Sequence, residues 1–266
     1  METAQQVFKK FGAIVLTGGS SGIGYALLTT LVSIEHNGPI FNLSRKKPDI
    51  KCEENRFFHY TCDLEVPLEL DQALETLIPR LQASSGPVLL VNNSGFGAYG
   101  PYPEPDLETH LRMVDLNIRA SLNLAGRLLP LFQNRGGAIV NIASTAAFQP
   151  TPQLSTYGAS KAFLLHWSLS VAEDLKPYGV HVMAVCPGPT RTAFFKRAGF
   201  ASPPTPPFLS QEPAAVIYAM AQGLKKKKTL VVCGFKNRCI VGLTSLLPKS
   251  LAARMAGYVL KKVREP

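Results

Sequence analysis

The chain is 266 residues long with 46% hydrophobic and 17% charged residues, enough apolar material for a packed core and unlike a disordered chain. Its formal net charge of +10 suits phosphate-bearing ligands, nucleic acid or an anionic membrane surface, without choosing among them. Cys52, Cys62, Cys186, Cys233 and Cys239 are odd in number, scattered and without a C-x-x-C pair, which argues against a disulfide framework or a zinc site. Reduced thiols, no metal and a cytoplasmic location are therefore expected. Lys9 and Lys10 precede an apolar run as a secretory leader would, but Phe11 to Leu16 is short and enters a glycine-rich turn without a cleavage-like site. No stretch reaches the ~18 apolar residues of a membrane-spanning helix.

Phe11 to Thr17 is a continuous apolar run of the kind buried on both faces of a parallel sheet. Gly18-Gly19-Ser20-Ser21-Gly22-Ile23-Gly24 follows, and then a helical segment from Tyr25 to about Glu35. Strand, glycine turn and helix form the setting of a dinucleotide site, because glycines admit the pyrophosphate and the helix N-terminus offers free N–H groups. Pro39 to Ser44 reads as a second strand. An NAD-type site places a carboxylate just past it, whereas this chain has Ser44-Arg45-Lys46-Lys47, and a cation there suits the 2′-phosphate of NADP(H).

Arg56 to Thr61 reads as a third strand, running into Cys62-Asp63-Leu64, where Asp63 is placed to meet an adenine edge. A helix from Leu68 to Leu81 and a fourth strand from Val88 to Val91 follow. That strand ends in Asn92-Asn93-Ser94-Gly95, polar groups at the edge where open α/β sheets bind ligands and where they also tie neighbouring strands together. Leu107 to Phe132 is the longest helical stretch and contains Asn117. Gly137 to Ala143 is a fifth strand with Ser144 at its end. Gly179 to Val185 is a sixth, ending in Cys186-Pro187-Gly188-Pro189-Thr190. A helix from Pro213 to Leu224 and a seventh strand from Thr229 to Val232 complete a βα alternation that predicts a doubly wound, mostly parallel seven-stranded sheet of the Rossmann type, helices on both faces.

Tyr157 and Lys161 stand four apart in a segment that runs helically from Thr156 to about Lys176, so ammonium and phenol share one helical face. A neighbouring cation is expected to lower the phenol pKa from about 10 and make it a usable proton donor and acceptor. Such a pair by itself is also a common surface feature.

The motifs taken together resemble the short-chain dehydrogenase/reductase family over residues 13 to 192. Thr17-Gly18-x-x-x-Gly22-Ile23-Gly24 resembles its cofactor signature, and Asn92-Asn93-Ser94-Gly95 is similar to its Asn-Asn-Ala-Gly, with Ser94 for alanine. Asn117, Ser144, Tyr157 and Lys161 stand 27, 13 and 4 residues apart in turn, the family's tetrad spacing. Pro187-Gly188 with Thr190 and Thr192 resembles its segment beside the nicotinamide, and Arg45 resembles the NADP-preferring members. The resemblance implies an NADP(H)-dependent oxidoreductase acting on a small carbonyl or alcohol substrate. It implies cofactor contacts at Gly18, Ser20, Ser21, Gly22, Ile23, Gly24, Arg45, Asp63, Leu64, Asn93, Tyr157, Lys161, Pro187, Gly188, Thr190 and Thr192. It further implies that Tyr157 exchanges the proton, Ser144 steadies the substrate oxygen, Lys161 lowers the phenol pKa and holds the ribose, and Asn117 anchors a water. Relatives of this kind are homo-oligomers, so one is expected here. An NADP(H)-binding regulator without turnover is the other reading, and no motif suggests nucleic acid.

Arg191 to Leu209, with Phe194, Phe195, Phe200, Phe208 and prolines 203, 204, 206 and 207, is long enough to expect a lid. Its rings either favour an apolar or acyl-like substrate or only pack the lid on itself. Residues 1–235 are expected as one dinucleotide-binding and catalytic domain, and 236–266 as a C-terminal amphipathic extension. Its apolar cluster up to Leu247 ends at Pro248, and Leu251, Met255, Tyr258 and Val259 then recur at helical spacing beside Arg254, Lys261, Lys262 and Arg264. This segment either covers the cleft or a neighbouring subunit, or lies in an anionic membrane surface.

Overall fold

Seven apolar runs become strands: β1 (Ala13–Thr17), β2 (Ile40–Leu43), β3 (Phe57–Tyr60), β4 (Val88–Asn92), β5 (Gly137–Ile142), β6 (Val180–Cys186) and β7 (Leu230–Val232). They form one sheet in the order β3-β2-β1-β4-β5-β6-β7 with every pairing parallel, where a mostly parallel sheet was expected. The computed structural model describes residues 2–53, 55–201 and 209–261. Phe208, the four lid prolines, Lys262 and Arg264 lie outside them.

The helices are α1 (Glu2–Gln5), α2 (Gly22–Ser33), α3 (Pro67–Ala83), α4 (Leu107–Val114), α5 (Ala120–Arg135), α6 (Ser155–Leu175), α7 (Phe194–Arg197), α8 (Pro213–Lys225), α9 (Phe235–Leu246) and α10 (Lys249–Lys261). Alternate strand residues feed two cores, one per sheet face. Val15, Phe41, Leu90 and Ile139 meet Leu74 of α3, Leu124 and Phe132 of α5 and Ala172 of α6. Ile14, Leu16, Val91 and Met183 meet Leu28 of α2 and Ile217 and Met220 of α8. Val7 and Phe8, from the lysine-bearing N-terminal segment, join this second core.

Two expectations are corrected. The helix after the first glycines begins at Gly22 rather than Tyr25, so the last two glycines of the turn lie in its first turn. The stretch expected as one helix from Leu107 is interrupted by a π-helical turn, Asp115–Arg119, and Asn117 sits within it. The apolar cluster before Pro248 is the helix α9, and α10 follows after a break at Leu247-Pro248.

Candidate active site

The parallel sheet gathers the ends of β1, β2, β4, β5 and β6 along one edge, and the order of strand addition reverses between β1 and β4 there. Thr17 Oγ1 accepts the N–H groups of Asn93 and Ser94, both at 2.9 Å, and Asn93 Nδ2 donates to Thr17 O at 2.9 Å and Gly18 O at 3.2 Å. Asn93 thus braces the glycine turn. A Cβ on Gly24 would stand 2.3 Å from Gly18 O, so helix and turn approach only as glycines. Ser21 precedes α2 without a side-chain cap, which leaves the N–H groups of Gly22, Ile23 and Gly24 for an anion. Arg197 Nη1 donates to Ser21 Oγ at 3.3 Å, placing a cation from α7 beside the turn. Free N–H groups, missing Cβ atoms and this cation fit a dinucleotide pyrophosphate.

Past β2, Arg45 is 62% exposed, with Nη1 3.5 Å from Asp63 Oδ2 and 3.7 Å from Glu65 Oε1. The structure therefore brings Arg45 and Asp63 together, and adds Glu65, which also receives Arg112 at 2.6 Å. Leu64 is buried in the core, which leaves only its backbone to meet a ligand. Asn42 Oδ1 accepts the N–H of Gly19 at 2.9 Å and locks the turn against β2.

Ser144 follows β5, with Oγ accepting the N–H of Ala146 at 3.1 Å, and α6 brings Tyr157 and Lys161 toward it. Lys161, 4% exposed, donates from Nζ to Ile142 O at 2.8 Å. In the π turn, Asn117 accepts the N–H of Phe96 at 3.1 Å and donates to Phe96 O at 3.0 Å and Ser160 Oγ at 2.9 Å. A Cβ on Gly95 would meet Asn117 Oδ1 at 2.9 Å and Lys161 Nζ at 3.1 Å, so the two groups flank one point. The expected lowering of the Tyr157 pKa is not what this geometry produces. Desolvation pushes the phenol up to about 12, although the residue keeps some accessible surface, and a hydrogen bond with Ser144 opposes the rise. Lys161 Nζ stands 5.9 Å from the Tyr157 ring centroid, and burial pulls its own pKa down to about 8.

After β6, Pro187 is buried, and a Cβ on Gly188 would collide with Asn237 of α9. Thr190 Oγ1 donates to Gly188 O at 2.9 Å and accepts from Gln211 at 3.3 Å, so its hydroxyl is tied into the loop. Thr192 stands against Gly22, its Cγ2 3.1 Å from where a Cβ on that glycine would be, at the turn end of the site. Phe194 then lies on Tyr157 with centroids 5.1 Å apart, and Phe195, Phe200 and Tyr99 continue the aromatic wall. Phe194, Phe195 and Phe200 thus pack on one another, and Phe194 on Tyr157. Sequence reasoning missed Arg197, Tyr99, Asn237 and Gln211, whose partners are distant in the chain.

The model of the short chain dehydrogenase family matches residues 12–200. This chain belongs to that family. The dehydrogenase is 31% identical over 188 residues to serine 3-dehydrogenase of Agrobacterium fabrum, spanning 69% of this chain and 74% of that one. It is 31% identical over 193 residues to the NADPH-dependent 3-dehydrocapnine reductase of Ornithobacterium rhinotracheale, spanning 69% and 67%. Among solved structures, a short-chain dehydrogenase from Sphingobium yanoikuyae in complex with NADPH superposes with a TM-score of 0.73 at 29% identity, over 91% of this chain and 98% of that one. The family is one of oxidoreductases acting on small molecules, and among the described residues of this dehydrogenase no helix is long and apolar enough to cross a membrane.

Proposed function

We propose that this dehydrogenase reduces the carbonyl of an apolar or acyl-like ketone with NADPH, Tyr157 giving the proton. The observation that carries the reading is the convergence of Ser144, Tyr157, Lys161 and Asn117 under the aromatic wall that Phe194 starts. Gly18 to Gly24, with Ser20 and Ser21, would hold the pyrophosphate through backbone N–H groups, Arg197 adding charge. Arg45 would pair with the 2′-phosphate, Asp63 and the Leu64 backbone would face the adenine, and Pro187, Gly188, Thr190 and Thr192 would border the nicotinamide. NADP(H), when bound, supplies hydride, which no side chain can.

The Tyr157 phenol holds its proton near neutrality and so has one to give to an oxygen gaining charge, as reduction requires. The Ser144 hydroxyl would donate to the same oxygen and stabilise that charge. Lys161 would orient the nicotinamide ribose, braced by Ile142 O. The NADPH named for two relatives supports the cofactor assignment. Exposed Leu111 and Val114 of α4 and Phe163 of α6 support a homo-oligomer. The five free cysteines support a reducing, cytoplasmic setting. The segment 236–266, to which α9 and α10 belong, would be an extension of the catalytic domain, available for peripheral membrane contact.

The test is NADPH oxidation by the purified chain with a panel of apolar ketones and aldehydes. Turnover that Tyr157→Phe abolishes without weakening NADPH binding is expected. NADPH binding with no turnover on any carbonyl would leave the regulatory reading in its place.

A further inference from the structure

The charge of this chain is unevenly placed. Residues 213–266 hold 11 basic residues and a single acidic one, Glu265, which accounts for the whole net charge of +10, while residues 1–212 hold 17 of each sign. The same segment exposes large apolar side chains. On α9 and α10, Ile240, Leu243, Leu246, Met255 and Val259 are all exposed, Leu246 to 84%. Basic Arg238, Arg254 and Lys261 lie among them, and neither helix has an acidic residue.

The way α10 docks explains the exposure. It meets the body through small residues and backbone: Ala252 is 2% exposed, Gly257 sits against Pro152, and Leu260 O accepts the Tyr99 hydroxyl at 2.6 Å. A helix docked only on protein turns its large apolar residues inward, and α10 turns them outward. From Leu260 the aromatic wall leads to the proposed proton donor: Tyr99 on Phe200 at 4.1 Å, Phe200 on Phe195 at 5.4 Å, Phe195 on Phe194 at 5.4 Å and Phe194 on Tyr157 at 5.1 Å.

We infer that the outer face of α9 and α10 lies on an anionic lipid surface, and that the ketone reduced at Tyr157 reaches the site from that surface. The second half rests on the carbonyl-reducing function proposed above. Charge selects the occupant. Two copies meeting through this face would oppose the two segments that carry the whole net positive charge, whereas an anionic leaflet offers both phosphate charge and apolar chains. A nucleic acid would answer the charge and leave the exposed leucines in water. The contact is peripheral, since among the described residues no helix is long and apolar enough to span a bilayer.

The test uses the full chain with phosphatidylcholine vesicles, with and without about a third phosphatidylserine. Co-sedimentation with the anionic vesicles alone, released by high salt, is expected. Leu243→Ser with Leu246→Ser, and separately Arg254→Glu with Lys261→Glu, should each lower partitioning about tenfold or more, with kcat/KM on a short water-soluble ketone unchanged. Turnover of a long-chain ketone carried in the vesicles should fall about as far. Indifference of the full chain to anionic vesicles at low salt would overturn the surface, as would binding that ignores both variants. A solution mass halved by either variant would instead make this face a protein interface. Binding lost with vesicle-borne turnover intact would overturn delivery alone. Failure on the soluble ketone would count against the catalytic reading while partitioning still reports on the surface.

Discussion

Burying an ammonium one helical turn from a phenol keeps the phenol protonated near neutrality and brings the pKa of the ammonium down toward it. Lys161 has its pKa lowered by burial to about 8, against 10.5 in an exposed chain. Below pH 8 both folded and unfolded chains hold the proton, and the folded chain carries the whole desolvation cost of about 3 kcal/mol. Between pH 8 and 10.5 the unfolded chain binds a proton that the folded one lacks, so stability rises with pH. Lys161→Met should therefore stabilise the fold at pH 7 by about 2 kcal/mol, after roughly 1 kcal/mol is lost for the carbonyl of Ile142 left without its donor. The gain should shrink between pH 8 and 10.5, as denaturant titrations across that range would show, while turnover is lost. Tyr157→Phe removes one oxygen and little volume; it should lower kcat by about 10²- to 10⁴-fold with NADPH affinity intact, measured by steady-state kinetics and cofactor titration. Arg45→Asp should weaken NADPH binding about tenfold to a hundredfold and spare NADH, since it removes one charge-assisted pair and adds a third carboxylate beside Asp63 and Glu65. An unchanged preference in paired titrations would remove Arg45 from that role.

At the scale of elements, the site stands on a buried polar bridge. Asn92 at the end of β4 donates to Asn141 Oδ1 of β5 at 2.8 Å, and Asn141 donates to Ser168 Oγ of α6 at 2.8 Å. This bridge ties the strand that delivers Ser144 to the helix that delivers Tyr157 and Lys161. Asn141→Ala would leave Asn92 Nδ2 and Ser168 Oγ short of partners in a dry interior. It should cost about 2–4 kcal/mol in denaturant unfolding, and lower kcat further than cofactor affinity. The π turn performs a similar positioning task, since an extra residue in one helical turn holds the Asn117 carboxamide against Phe96 and Ser160. The four-residue helix α7 contributes to both ends of the site, with Phe194 on Tyr157 and Arg197 on Ser21.

Across the whole molecule, the ligand edge joins strands whose N–H donors, hydroxyls and cations are far apart in the chain. A cofactor bridging them should stabilise the fold by mass action. Free NADPH at a hundred times its dissociation constant would add about 2.7 kcal/mol, a rise of several degrees in the unfolding midpoint. NADH at the same concentration should give a smaller rise, and the difference should vanish in Arg45→Asp; equal shifts from the two cofactors in the unmodified chain would contradict the 2′-phosphate reading. The charge asymmetry belongs to this scale too, because a neutral catalytic body carries a strongly basic apolar edge beside its aromatic wall.

The sequence by itself determined the features that depend on neighbours in the chain. Buried strands show as apolar runs, the dinucleotide turn as glycines that no Cβ could replace, and the Tyr157–Lys161 pairing as one turn of helix. It did not determine what distant segments do to one another. The Tyr157 pKa depends on how deeply the phenol is buried, which outweighs its hydrogen bond with Ser144, so the expected downward shift became an upward one. Arg197 meets Ser21 across 176 residues, a contact that no local pattern encodes. The stripe on α10 was legible as periodicity, yet periodicity has no sign. Only the packing of Ala252 and Gly257 against the body decided that the large apolar residues face outward, because the narrow side of the helix alone fits that close to Pro152.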